Sequence, residues 1–260
     1  MTKKLDATAY NTVKKFEPDY LRLYEEYFGH LADKDITLLE LGVEKGGSLL
    51  LWRDYFERGI IVGVDILPVN MDDPTGRIRV YQGHQQDKGL LDRIAREQAP
   101  EGFDIIIDDC SHIGELTRIS FWHLFTNHLK PGGIYAIEDI GASYISDMMG
   151  NFVDGRVYKP YNHTTYDSFR YSLASYVESV RNKDILRHFP PLVNFLKPYG
   201  HYVRRIPSHD YGSVGFIKEL IDACHVNSNW GGGPHRHAQI HRIIISFNHA
   251  IVLKSRVGEH

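Results

Sequence analysis

The sequence contains little of what secreted, membrane-spanning or nucleic-acid-binding proteins require. Its 260 residues include two cysteines, Cys110 and Cys224, which form no disulfide framework and favour a reducing compartment. No apolar run reaches the ~20 residues of a membrane-spanning helix, and the first residues lack the apolar stretch of a signal peptide. The net charge of −3 argues against a sequence-independent nucleic-acid binder. We therefore expect a cytoplasmic protein without nucleic-acid or membrane partners; a homo-oligomer is compatible with this composition.

The chain is nevertheless hydrophobic enough, at 42% apolar residues, to build one sizeable core. Short apolar runs at 37–41, 59–66, 77–83, 103–109 and 134–139 are typical of buried strands. Helical patterns lie between several of them, at 48–56, 88–98 and 115–128. This alternation predicts an α/β fold with a parallel sheet and right-handed crossovers.

The segments on either side of that core complete a single predicted domain. Residues 1–36 are expected to be helical around 20–30, and 37–139 to form the core. Residues 140–211 are rich in Gly, Asn, Tyr and Pro, with helical character at 166–188, and indicate an inserted lid. Residues 212–260 are expected to contain a helix at 214–224 and a hairpin at 243–247 and 250–253.

Acidic residues follow two of the predicted strands where those strands end. Asp108 and Asp109 end one apolar run, with His112 three residues later, and Glu138 and Asp139 end the next. Parallel strands present their carboxyl ends at one edge, where ligands bind in open α/β sheets. Carboxylate oxygens suit Mg²⁺ or Mn²⁺, and an imidazole nearby could act as a general base.

A simpler interpretation of the first acidic group also exists. Ser111 could cap the following helix, with His112 as a surface residue. We favour the site because a second pair of acids repeats the arrangement one strand further on.

A glycine-bearing turn, Glu40-x-Gly42-x-x-x-Gly46, connects the first predicted strand to its helix. Glycines there allow a ligand to approach the backbone, and the helix N-terminus supplies amide groups. The pattern is not the dinucleotide fingerprint G-x-G-x-x-G. Glu40 favours an amine-bearing ligand, and Asp65, which ends the second strand, is placed to bind ribose hydroxyls. The alternative is a tight turn with incidental glycines.

The segments LLELGVEKGGSLLLW, IIVGVDI, RIRVYQGHQQD, FDIIIDDCSH and PGGIYAIEDIGASY resemble, in this order, the class I S-adenosylmethionine-dependent methyltransferases. More narrowly, they resemble the metal-dependent sugar O-methyltransferases of the mycinamicin (macrolide) type. The resemblance implies a Rossmann-like, mostly parallel seven-stranded sheet with a C-terminal antiparallel hairpin. It also implies that Asp109, Glu138 and Asp139 hold Mg²⁺ (or Mn²⁺) and that His112 is the general base.

Together, the turn and the resemblance predict a set of S-adenosyl-L-methionine-binding positions: Glu40, Gly42, Gly46, Ser48, Asp65, Gln85, Asp87 and Asp108. Two positions depart from the family pattern. Cys110 stands where the family usually has Gly, and His84 stands where it usually has Asp. Gln85 or Asp87 is therefore the candidate for the adenine side.

The predicted function is transfer of a methyl group to a hydroxyl of a sugar or glycosylated natural product. One alternative is a catechol-type metal-dependent O-methyltransferase, and another is a non-catalytic S-adenosylmethionine-binding protein. Two further clusters have open interpretations. The histidines His235, His237 and His241 fit a mobile loop better than a zinc site. A tyrosine run fits either a substrate cover or packing: Tyr144, Tyr158, Tyr161, Tyr166 and Tyr171.

Overall fold

The computed structural model describes residues 3–144, 152–153, 156–157, 212–226 and 239–258. The helix predicted at 166–188, the rest of the predicted lid up to 211, and the loop at 227–237 lie outside these residues. So do His235, His237 and the predicted tyrosine positions from 158 to 171. His241 is described, and it lies exposed on a strand. No helix in the described part of the chain is long and apolar enough to cross a membrane.

The described chain alternates strands and helices after an N-terminal helical segment. A 3₁₀ turn at Val13–Phe16 precedes the first helix, another at Gly29–Leu31 follows it, and a third at Ile140–Tyr144 follows the fifth strand. The helices are α1 (Pro18–Phe28), α2 (Gly47–Tyr55), α3 (Lys88–Gln98), α4 (Gly114–Asn127) and α5 (Gly212–Val226). The main strands are β1 (Thr37–Leu41), β2 (Ile60–Asp65), β3 (Ile78–Gln82), β4 (Phe103–Asp108) and β5 (Leu129–Glu138). A short ribbon, β6 (Phe152–Val153) and β7 (Arg156–Val157), precedes the final hairpin of β8 (Ile240–Ser246) and β9 (His249–Lys254).

Seven of these strands form one sheet in the order β3-β2-β1-β4-β5-β9-β8. The pairings among β1 to β5 are parallel, whereas β9 pairs antiparallel with both β5 and β8. The predicted mostly parallel seven-stranded sheet with a C-terminal hairpin is therefore confirmed. The strand order reverses between β1 and β4, and such a reversal opens a crevice at the carboxyl ends of the strands.

Both faces of the sheet are buried, because alternate strand residues point to opposite sides. Leu39 and Ile106 join the core that α3, α4 and α5 cover. Leu38 and Ile105 join the core on the other face, which α1 and α2 cover. The continuous apolar runs that predicted β1 and β4 thus reflect burial on two sides.

Three of the differences between the structure and the sequence-based boundaries concern β5, β9 and the short ribbon. Pro131 and the two glycines after it lie within β5, where the pairing with β4 shifts register, and do not form a separate loop. His249 is the first residue of β9, although a turn was predicted there. The ribbon of β6 and β7 lies in a stretch predicted as loop, since two-residue strands have no readable period.

The N-terminal segment packs against the sheet and the start of α2. Tyr24 stacks on Phe28 and meets the edge of Trp52, with ring centroids 4.6 and 5.2 Å apart. Further upstream, the chain crosses the start of α2 so closely that a Cβ at Gly47 would lie 1.9 Å from the carbonyl oxygen of Asn11. The N-terminal segment therefore reaches the crevice at the switch point.

Candidate active site

A cavity of about 900 Å³ opens at the carboxyl ends of β1, β2 and β4. The turns after these strands, residues 83–86 and the N-terminal residues 11–13 all contribute to its wall. Seven predicted site residues line it: Gly42, Ser48, Asp65, Gln85, Asp109, His112 and Asp139. His84 and Cys110, the two departures from the family pattern, line it too. The volume suits a ligand of drug-like or cofactor size.

Four predicted cofactor residues do not line this cavity: Glu40, Gly46, Asp87 and Asp108. In three of them, the carboxylate accepts hydrogen bonds from neighbouring protein groups. Glu40 is fully buried and accepts a 2.7 Å bond from Ser48, while Asp87 caps α3 by accepting the amide of Leu90. Direct contact with a cofactor stays a prediction for these four residues.

Asp108 is the clearest case of a carboxylate with a structural partner set. It is buried beneath the cavity and accepts hydrogen bonds from Ser120, Gln85 and, at 3.4 Å, Tyr135. Burial raises the pKa of Asp108 to about 6, against the opposing effect of these bonds. Gln85 continues the connection, because its Oε1 accepts the backbone amide of Ser111. This network fixes the loop that carries Asp109 and His112.

The turn after β1 depends on Gly42. Its φ of 87° is a left-handed conformation, and a Cβ there would lie 2.0 Å from the carbonyl oxygen of Asp109. Asp65 fixes the same turn from β2, because its Oδ2 accepts the amides of Val43 and Glu44 at 2.9 Å. The glycine predicted from the sequence therefore allows two strand ends to approach each other.

Asp109, His112 and Asp139 converge at the inner end of the cavity. One donor atom from each lies within 4.8 Å of the others, and His112 Nε2 is 3.7 Å from Asp139 Oδ2. His112 and Asp139 both have positive φ, 56° and 53°, which is uncommon outside glycine. Such backbone strain concentrates at functional sites, where the surrounding structure holds it in place.

Lys14 penetrates this acidic cluster from the N-terminal segment. Its ammonium lies 2.7 Å from Asp109 Oδ2, 2.7 Å from Glu138 Oε2 and 3.4 Å from Glu40 Oε1. The side chain is almost fully buried. Burial alone would lower the pKa of Lys14, but the three carboxylates outweigh it and raise the pKa well above its ordinary value. Lys14 is thus a fixed positive charge inside the site.

The two acids after Ile137 face different partners. Glu138 is buried, bonded to Lys14 and to the hydroxyl of Tyr24. Asp139 lies nearer the cavity and accepts bonds from Tyr20 at 2.9 Å and from Asn248 at 2.8 Å. Of the three predicted metal ligands, Asp109 and Asp139 therefore converge with His112, while Glu138 turns toward Lys14.

Negative charge exceeds positive charge in this cluster. Three carboxylates, those of Glu40, Asp109 and Glu138, lie within 3.4 Å of the Lys14 ammonium, and Asp139 adds a fourth beside Asp109. Burial and then the charge of Glu138 raise the pKa of Asp109 to about 7, although Lys14 opposes this. Burial also raises the pKa values of Glu40 and Glu138. The cluster is therefore suited to a further cation.

Sequence reasoning missed the contribution of the N-terminal segment. Tyr20 and Tyr24 are four residues apart on a predicted helix, so the sequence shows that they share one face of it. The sequence does not show which part of the protein that face contacts. Nothing in the local sequence distinguishes Lys14 from the exposed Lys15 beside it. Only the tertiary path of the chain brings one of them to the acids.

Comparison with curated proteins finds sugar O-methyltransferases, whereas no family model matches the chain. Mycinamicin VI 2''-O-methyltransferase of Micromonospora griseorubida is 43% identical over 136 residues, which cover 50% of this chain and 32% of that protein. Demethylmacrocin O-methyltransferase of Streptomyces fradiae is 38% identical over 148 residues, 54% of this chain and 35% of that protein. The matched part therefore spans about a third of these relatives.

Comparison with solved structures covers more of the chain. The MycE methyltransferase of the mycinamycin biosynthetic pathway, solved in complex with Mg and SAH, matches 99% of this chain and 56% of its own, with a TM-score of 0.66 and 28% identity. A second structure of MycE, with Mg, SAH and mycinamycin VI, matches equally, with a TM-score of 0.66. The chain spans about half the length of these proteins. The resemblance read from the sequence is confirmed: the chain is a homologue of the macrolide and sugar O-methyltransferases of the mycinamicin type and has their class I methyltransferase fold.

Proposed function

We propose that this protein transfers the methyl group of S-adenosylmethionine to a hydroxyl on the sugar of a glycosylated natural product, with a divalent metal ion. The observation that carries the proposal is the convergence of Asp109, His112 and Asp139 at one end of the 900 Å³ cavity. The activities of the relatives, which act on glycosylated macrolides and tetracenomycins, support the same chemistry. The cytoplasm is the proposed location, without nucleic-acid or membrane partners.

The acidic cluster fits a magnesium or manganese ion by its donor chemistry. Carboxylate oxygens are the ligands that these hard cations prefer, and the cluster has more carboxylates than cations to balance them. We propose Asp109, Glu138 and Asp139 as the ligands, as the resemblance implies. A bound divalent ion would make a coordinated hydroxyl more acidic and hold it in place. Glu138 would join this set although its carboxylate is already bonded to Lys14 and Tyr24.

The residues of the chain supply orientation and a proton acceptor. His112 is partly exposed to the cavity, and its backbone is held by Ser213, whose hydroxyl donates to the His112 carbonyl at 3.2 Å. In the proposed step, the oxygen of the acceptor forms a bond to the methyl carbon while the carbon–sulfur bond breaks. S-adenosylhomocysteine leaves, and the hydroxyl proton passes to the imidazole of His112.

The cofactor has a natural place at the other end of the cavity. Gly42, Ser48, Asp65 and Gln85 line that part of the wall, and the N-terminus of α2 points its amides toward it. Asp65 accepts three backbone amides, including that of Leu67, so its carboxylate is already oriented. We propose that it also accepts bonds from the ribose hydroxyls.

The experiment that tests this function is a mass-spectrometric screen for methyl transfer. The protein would be incubated with S-adenosylmethionine, Mg²⁺ and a panel of glycosylated macrolides, free sugars and catechols. We expect a product heavier by one methylene on a glycosylated acceptor, and loss of turnover with excess EDTA that Mg²⁺ or Mn²⁺ restores. Transfer to catechols alone would favour the catechol-type alternative. Binding of S-adenosylhomocysteine without any turnover would favour the non-catalytic one.

The His112→Ala variant tests the assignment of the general base within the same screen. Removal of such a group typically costs 10²–10⁴-fold in rate. We therefore expect kcat to fall by about that factor while calorimetry shows unchanged affinity for S-adenosylhomocysteine. Normal kcat in this variant would show that the hydroxyl is activated without the imidazole.

A further inference from the structure

A second cluster of potential metal ligands lies away from the cavity, where α3 meets the end of α4. It consists of Asp92 on α3, His123 on α4 and His128, the residue that follows α4. One donor atom from each lies within 4.8 Å of the others. The cluster contacts none of the cavity-lining residues by a described hydrogen bond, and the proposed methyl transfer does not use it.

The two imidazoles approach a single carboxylate oxygen. His123 Nε2 lies 2.8 Å from Asp92 Oδ1, and His128 Nε2 lies 2.7 Å from the same oxygen. The two ring centroids are 5.3 Å apart. One carboxylate oxygen can accept both hydrogen bonds, but the arrangement also brings all three potential ligand atoms together. Convergence on one point is what a shared ion requires.

The backbone that carries the two histidines is well fixed. The amide of His128 donates to the carbonyl of Leu124 at 2.8 Å, and its own carbonyl accepts the amide of Phe103 at 2.7 Å. The carbonyl of His123 accepts a 2.9 Å bond from the side chain of Asn127. Because both imidazoles are also largely buried, little conformational freedom would be lost when a ligand binds.

We propose that Asp92, His123 and His128 bind a borderline divalent cation of the Zn²⁺ class. Two imidazole nitrogens and one carboxylate oxygen suit Zn²⁺, Co²⁺ or Ni²⁺ better than Mg²⁺. Zinc bonds of ~2.0–2.1 Å in tetrahedral geometry place ligand atoms about 3.3 Å apart. The three side chains would therefore open by about half an ångström around the ion, and water could supply a fourth ligand because Asp92 is 40% exposed.

Such an ion would connect α3 and α4, and the loops that precede both helices line the cavity. Residues 83–86 lead into α3, and Ser111, His112 and Ile113 lead into α4. Such a site would connect α3 to α4 independently of whether methyl transfer occurs.

The test uses Co²⁺ as a spectroscopic probe and Zn²⁺ by calorimetry, on the full chain in excess Mg²⁺ that occupies the acidic cluster. A His123→Gln/His128→Gln variant is compared with wild type and with a His30→Gln control, since His30 is an exposed histidine. We expect wild type and control to bind one more Co²⁺ or Zn²⁺ than the double variant, with intense visible bands of tetrahedral Co²⁺ that the double variant lacks.

Asp92→Asn provides a second variant in case the double substitution perturbs folding, which circular dichroism would reveal. It keeps the shape of the side chain and should weaken Zn²⁺ binding at least tenfold. Ions that bind elsewhere on the chain cancel in these comparisons. Equal stoichiometry and equal Co²⁺ spectra in all folded variants would overturn the proposal and leave the cluster as an ion-paired contact between helices.

Discussion

At the scale of single residues, the most consequential finding is the position of Lys14 among the acids. Three carboxylates that would otherwise repel each other in a buried site share one ammonium, and the N-terminal segment is anchored where they meet. Removal of one partner from a buried ionic network leaves uncompensated charge, which typically costs 3–5 kcal/mol. Lys14 therefore contributes to stability and to the electrostatics of the site at once.

The Lys14→Met variant should lose about 3–5 kcal/mol of unfolding free energy, measured by urea denaturation at neutral pH without metal. Because Mg²⁺ could replace the missing charge, added Mg²⁺ should stabilise this variant more than it stabilises wild type. Lys15→Met is the matched control, as Lys15 is the exposed neighbour. Equal stability of the two variants would contradict the role assigned to Lys14.

The acids and His112 were predictable because chemistry and position coincide in the local sequence. Each acid directly follows an apolar run that could only be a buried strand, so its location at the sheet edge followed from the parallel topology. Lys14 and Asn248 were not predictable, since each reaches the cluster through a long-range path and has an unremarkable neighbourhood in the sequence. The orientation of Glu138 depends on Lys14, so it could not be predicted from the sequence either.

At the scale of elements, the N-terminal segment lies against the start of α2, directly after the glycine-bearing turn. Asn11, Thr12 and Val13 form part of the cavity wall, and the carbonyl of Asn11 packs against the first residue of α2. Sequence periodicity identified α1 but not this contact. Residues 11–13 have no repeating hydrophobic pattern, so the sequence does not predict which surface they contact. A substitution at Gly47 would therefore displace the segment and leave the acidic residues themselves unchanged.

Gly47→Ala should displace the N-terminal segment, because the new Cβ would lie 1.9 Å from a backbone oxygen that cannot move alone. We expect faster limited proteolysis before α1 and a rate of methyl transfer reduced by about 10²-fold, the typical cost of a misplaced site. Gly89→Ala in α3 is the control, since its Cβ would meet only Asp87 Oδ1 at 3.4 Å. If the two variants behaved alike, the N-terminal segment would have no part in the site.

At the scale of the whole molecule, the parallel sheet and the C-terminal hairpin were predictable in outline, whereas the strand order was not predicted. Alternating strands and helices impose parallel pairing with right-handed crossovers, and the terminal run of β-branched residues can only add at an edge. The irregularity of β5 was not predictable, because the glycines after Pro131 signal a turn locally, and Gly132 does have a left-handed φ of 77°, yet the strand continues through them and resumes its pairing with β4 at Ile134. Tertiary pairing also places His249 inside the sheet, opposite Glu138.

His249 makes the stability of the whole fold sensitive to acid. It is fully buried between Tyr20 and Tyr24, with ring centroids 4.8 Å from each, and neither ring nitrogen has a hydrogen-bond partner among the described residues. Burial, and then the charge of Lys14, lower the pKa of His249 from 6.5 to about 3. Between these values the unfolded chain binds a proton that the folded chain does not, so stability falls as pH falls.

The His249→Phe variant should remove this dependence while it preserves the packing. Relative to that variant, wild type should lose about 2.5–3 kcal/mol of unfolding free energy between pH 7.5 and pH 4.5, because two pH units below 6.5 correspond to about 2.7 kcal/mol. Urea denaturation of both proteins at each pH measures the difference. The raised pKa values of Asp108 and Asp109 favour the fold as pH falls, but this contribution is the same in both proteins and cancels in the comparison. His30→Gln should follow wild type at both pH values. A constant difference between wild type and His249→Phe would mean that the imidazole accepts its proton within the fold, and that the site beside Lys14 is better hydrated than its burial indicates.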